Sequence, residues 1–281
     1  MKPLLLAALL LPVVDSFSFV RHYVPGQSYR YELRERSEGS AREQVAVSKH
    51  TVIARDGVPY ERIEWVSLSD TEEGDLTALT KEVPPAELSL RPGAAIDFAK
   101  PADNPRMMGA VTDLITFFTA VSPQMGVTEV RRAGETYVRP EVVIGDFADG
   151  KEFLAGRSCN GVTITLQALD AETATYRTVL QPPDRGCPAL SRDWMNGPVC
   201  GNRDNTFEMI RRQAPGFVAA WGCEKITIVS RVSRRTGAIV DAEMDNQLTW
   251  KMKFCMDDAL TQCSALPDVK KRRFVTLRRL P

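Results

Sequence analysis

The sequence predicts a mainly β protein: a long-stranded, curved antiparallel sheet, half-barrel or barrel-like, with one amphipathic helix packed on its concave face. Three observations carry this expectation. AIVDAEMDNQLTWKMKF, from Ala238 to Phe254, keeps an apolar row on its even positions and a polar row on most odd ones, the period-2 pattern of a half-buried strand. Short alternating segments separated by turn signals recur through most of the chain. A single stretch, RMMGAVTDLITFFTAV, has helical periodicity instead.

The long strand is the strongest of the three. At about 3.3 Å per residue it would extend roughly 55 Å, about three times an ordinary strand. A strand of that reach with one dry face suits a strongly curved sheet whose concavity holds a helix, a ligand or both. Asn246 is the one polar residue in the dry row. Two readings stay open for it: a bulge or end of the sheet, or a polar contact inside a cavity, where its amide would need partners.

The helix is expected over Arg106–Val121. Asp103 or Asn104 would cap it, Pro105 suits its first position, and Pro123 stops it. Met107, Val111, Leu114, Ile115, Phe118 and Val121 form a stripe broad enough to need a sheet beneath it.

The other strands follow in order. GQSYRYELRER alternates Tyr29, Tyr31 and Leu33 against charged neighbours. QVAVSKHTVIA and YERIEWVSL flank RDGVP, whose Asp-Gly suggests a hairpin turn. DTEEGD is an acidic loop, and TKEVPPAELSLRPGAAIDF is broken by prolines into short edge strands or loops. After the helix come ETYVRPEVVI, then GVTITLQAL paired with ATYRTVL, then TFEMIRR, FVAAWG, EKITIVSRVS and the long strand. KRRFVTLRRL is the last.

MKPLLLAALLLPVV sets one lysine before a short apolar run, the pattern of a secretory signal. Residues 1–16 are read as the signal, cut after Ser16, and 17–281 as a single β-rich domain or one that divides at the helix 105–121. No cysteine follows the apolar run, so a lipid anchor is not expected, and the destination is the periplasm or the medium. Lys+Arg and Asp+Glu both number 36, so no bulk field recruits nucleic acid, and no stretch reads as transmembrane.

Six cysteines without metal-site spacing, beside only two histidines, fit a disulfide framework. The expected pairs are Cys255–Cys263 across a short turn, Cys187–Cys200 across a loop bearing proline and glycine, and Cys159–Cys223. No cofactor or metal is expected. GDFADGK has Glu152 where a phosphate loop needs Ser or Thr, and reads as an acidic turn. Neither it nor DTEEGD has the ligand spacing of a calcium loop.

His22 falls near the start of the mature chain. His50, between Lys49 and Thr51, reads as a surface residue. GRSCN lacks the second glycine of a nucleophile elbow. Lys270, Lys271, Arg272, Arg273, Arg278 and Arg279 make the last strand basic. On an exposed edge such charges keep other strands from adding; they could also meet an anionic surface or an envelope protein.

Three functions stay in play. The first is a non-catalytic binder of an apolar ligand or lipid, lined by Met107, Phe118, Met244, Asn246, Leu248, Trp250 and Met252. The second is an envelope interaction or assembly protein with a closed core. The third is an extracytoplasmic hydrolase using carboxylates. In outline, the long-stranded sheet with its single helix resembles the lipoprotein-carrier half-barrels of the bacterial envelope. The resemblance is one of architecture and transfers no residue roles.

Overall fold

A computed structural model describes residues 15–89, 105–148, 150–197 and 199–281. The element order is β1 (Ser28–Ser37), β2 (Glu43–Arg55), β3 (Val58–Asp70), β4 (Gly74–Asp75), β5 (Ala86–Ser89), α1 (Pro105–Ala120), β6 (Thr136–Val138), β7 (Val143–Asp146), β8 (Phe153–Leu169), β9 (Thr173–Gln181), β10 (Phe207–Gln213), β11 (Gly216–Ser233), β12 (Ile239–Cys255) and β13 (Cys263–Leu280). Strand takes 54% of the chain and helix 12%, as the alternating pattern requires. The expected caps Asp103 and Asn104, and most of the signal segment, lie outside the described residues.

All strands join one antiparallel sheet, and its centre is β11-β12-β13-β1-β2. The β2–β3 hairpin turns as Asp-Gly suggests: Asp56 and Gly57 take φ of 51° and 75°, the mirror-image turn that matches strand twist. FVAAWG and EKITIVSRVS, expected as two strands, are one strand of 18 residues, β11.

β9 and β10 occupy one column. β9 pairs with Gly161–Leu169 of β8 and with Ile226–Ser233 of β11, while β10 pairs farther along the same two strands. At the junction, Cys159 N donates to Thr206 O and Thr206 N to Gly222 O. The four strands thus make a closed ring of antiparallel pairings, and the chain between β9 and β10 leaves the sheet as a loop.

That loop decides the disulfides. They are Cys159–Cys187, Cys200–Cys223 and Cys255–Cys263. The expected Cys187–Cys200 and Cys159–Cys223 pairs are corrected. Cys159 on β8 and Cys223 on β11 flank the column, and each takes a loop cysteine to its own strand. Peptide mapping of unreduced protein is expected to recover these three links with no alkylatable thiol, and removing either loop bridge should cost about 2–4 kcal/mol in urea titrations.

α1 packs on the concave face. Leu114, Phe117 and Phe118 share a core with Tyr31, Ile164, Tyr176, Ile228 and Leu277. Phe17 and Phe19, from the segment before β1, join it. A smaller core lies on the opposite face at the far end of the sheet. There Phe217, Ala219 and Trp221 of β11 meet Leu190 and Met195 of the loop. β11 is therefore dry on both faces near Trp221, which strict alternation did not anticipate.

The basic last strand is not an edge. β13 pairs with β12 on one side and β1 on the other, so the edge-protection reading is corrected. Three of its six basic residues meet partners on neighbouring elements. Arg272 pairs with Asp245, Arg273 with Glu35 and Asp113, and Arg279 lies 4.4 Å over the Tyr29 ring.

Candidate functional site

The concave row of β12 divides at Asn246. On the near side Ala242 and Met244 are buried under α1 in the main core. On the far side Leu248, Trp250, Met252 and Phe254 are only half-buried. Residues opposite one another in antiparallel pairs share a face, so the register extends this half-buried surface. Gly222 and Phe207 lie level with Trp250, Ala220 and Met209 with Met252, and Val269 completes the row on β13. The result is a half-buried apolar strip, called the trough below, rich in Met and aromatic side chains, of which the unbranched methionines accept varied shapes. Its floor requires glycine at 222. A Cβ there would fall 2.2 Å from Thr249 O, and the Trp250 ring rests edge-on to Phe207 at 6.4 Å.

A polar cluster closes the inner end. Asn246 Nδ2 donates to Glu224 Oε1 at 2.7 Å, and Glu224 is level with Leu248. Arg273 Nε donates to Glu35 Oε1 at 2.8 Å and its other nitrogen to Asp113 of α1. Two carboxyls thus bind the guanidinium, and a third, Glu224, lies within reach of its charge. Burial pushes the Asp113 carboxyl up to about 7 against the pull of Arg273, and Glu35 and Glu224 add to the rise. Burial likewise raises Glu224, opposed by the Asn246 hydrogen bond and by Arg273. Asn246 is therefore an internal polar contact within a continuous strand, not a bulge or a strand end.

The expected lining residues separate into two groups. Leu248, Trp250 and Met252 come together in the trough beside Asn246. Met107, Phe118 and Met244 do not; they are fully buried, and Met107 packs in a satellite cluster with Ala46 and Leu68.

A second polar site lies deep under α1, and it overturns the surface reading of His50. His50 Nδ1–H donates to Glu61 Oε1 at 2.5 Å, and the Ser48 hydroxyl lies 2.8 Å from His50 Nε2. This is the chain of contacts that activates a nucleophilic serine. Its surroundings are wrong for that task. Tyr29 and Phe118 stack on the two faces of the imidazole, Tyr31 meets its edge, and all three polar residues are at most 1% exposed. Burial pushes the Glu61 carboxyl up, but the hydrogen bond and charge of His50 outweigh it and hold it below its ordinary range. The trio is a polar seam that substrate does not reach in this conformation.

The acidic loop 70–75 is a turn in which Asp70 binds Arg42 and the Glu72 and Glu73 amides. Among the described residues no three His, Cys, Asp or Glu gather as a metal site, and no helix is long and apolar enough to cross a membrane. No protein-family model and no curated protein matches the chain.

Proposed function

We propose that the protein is an exported, non-catalytic binder that holds an apolar chain in the trough beyond Asn246. The observation that carries this reading is the run of half-buried Leu248, Trp250, Met252 and Phe254 on the same face as Phe207 and Met209, set off from the core beneath α1 by the Asn246–Glu224 contact. Three disulfides fit an oxidising compartment, the periplasm or the medium. Native mass spectrometry after gentle extraction is expected to find a co-purified lipid, and a twelve-carbon amphiphile should shift Trp250 emission, with Trp250→Phe silent. Failure of both would leave the assembly reading in front. One surface favours that second reading. At the β6–β7 edge of the sheet, Val138 and Ile144 are 66% and 51% exposed, with Phe147 beside them.

A further inference from the structure

The inner end of the trough has chemistry of its own. Arg273, level with Asn246, already serves Glu35 and Asp113. Lys271, level with Leu248, is an exposed ammonium at the rim, where water screens most of its attraction. What remains unsatisfied is acceptor capacity. Asn246 is 3% exposed, yet its Oδ1 takes no hydrogen bond, while its Nδ2 is committed to Glu224 Oε1. Glu224, level with Leu248, is held by Asn246 through Oε1, one of its two oxygens. With every carboxyl ionised, the three acids and one guanidinium would carry a net charge of about −2, a cost that an added ammonium relieves and an added carboxylate deepens.

We infer that this end of the trough selects amphiphiles whose head donates hydrogen bonds, an alkylammonium above all, over amphiphiles with a carboxylate head. The inference rests on the apolar-trough reading and adds head-group chemistry to it. Glu224 and the orphaned Asn246 oxygen are the two acceptors that an ammonium would meet while its chain runs along Leu248, Trp250 and Met252. A hydroxyl head can also donate, but without the charge. A carboxylate would have to displace Glu35 or Asp113 from Arg273 or settle for the hydrated Lys271.

The test compares dodecylammonium, dodecanol and dodecanoate at pH 8, each below its micelle concentration. It is read by Trp250 emission, with Trp250→Phe as the blank. The expected order is ammonium, alcohol, carboxylate, with at least tenfold between the first and last, about 1.4 kcal/mol. Glu224→Gln keeps a side chain that can bond Asn246 but removes the charge. It should shrink that ratio below about threefold, with a wild-type circular dichroism spectrum and urea midpoint reporting that the variant is folded. Dodecanoate binding as tightly as dodecylammonium, or a preference undiminished in Glu224→Gln, would overturn the inference and leave the trough standing. Silence from all three amphiphiles would remove the trough reading itself.

Discussion

Glu61→Ala is expected to destabilise the fold by about 3–5 kcal/mol, the loss typical of breaking a buried charged pair from one side. The reason lies in what would remain. His50 would stay clamped between Tyr29 and Phe118 with no exposed surface, its Nδ1–H deprived of an acceptor. Ser48→Ala removes only a hydroxyl from the other end of the seam and should cost about 1 kcal/mol. Urea titrations of both variants decide the matter, and equal losses would mean that the carboxylate does not anchor the histidine. The same pair contributes to acid sensitivity. Because the folded Glu61 carboxyl sits below its ordinary range, its stabilisation is present above that range and fades as pH falls through the folded value.

Asp113 behaves in the opposite sense. Its folded carboxyl is raised to about 7 from an ordinary 3.8, so between about pH 4 and 7 the folded state holds a proton that the unfolded state has released. Stability from this site is complete below about pH 4 and declines as pH rises to 7. The span is on the order of 4 kcal/mol, at 1.36 kcal/mol per pKa unit. Asp113→Asn is expected to be the more stable protein at pH 8 and to lose this decline. The comparison isolates one residue, since Arg273, Glu35 and Glu224 remain in both proteins. A wild-type and variant pair whose urea midpoints track in parallel from pH 4 to 8 would show that Asp113 does not hold the proton.

Much of the fold was legible because its signals are local. The even row of β12, the stripe of α1 and the Asp-Gly turn between β2 and β3 each depend on residues within one or two turns of chain. The site was legible only in part. Asn246 stood out as the one polar residue in a dry row, and Leu248, Trp250 and Met252 followed from the same alternation. Glu35, Asp113, Glu224 and Arg273 did not, because they meet from four elements across the sheet and helix. His50 was misjudged because both rows of QVAVSKHTVIA hold apolar residues. The inner row, Ala46, Ser48, His50 and Val52, is the more polar one, and Glu61 on the next strand makes its burial tolerable. The loop disulfides failed for a related reason. Nothing near Cys187 or Cys200 announces that β9 and β10 share a column, and the pairing follows from that column alone.

The pairing of β1 with β13 has a kinetic consequence. Arg30 faces Leu280 and Ser37 faces Arg273, so the sheet is joined at its middle by the first and last of the described strands. Contacts between such distant segments form slowly, because a large loop must close before they are rewarded. The β1–β3 hairpins would emerge from a ribosome or a translocation channel long before their missing neighbour. They would carry one open, apolar-backed edge until Cys263–Leu280 arrived. Until then the architecture leaves the polypeptide with an unpaired strand edge. It also exposes that polypeptide to strand-swapping with a second copy during the wait, an error that a helper protein with affinity for unpaired edges would suppress.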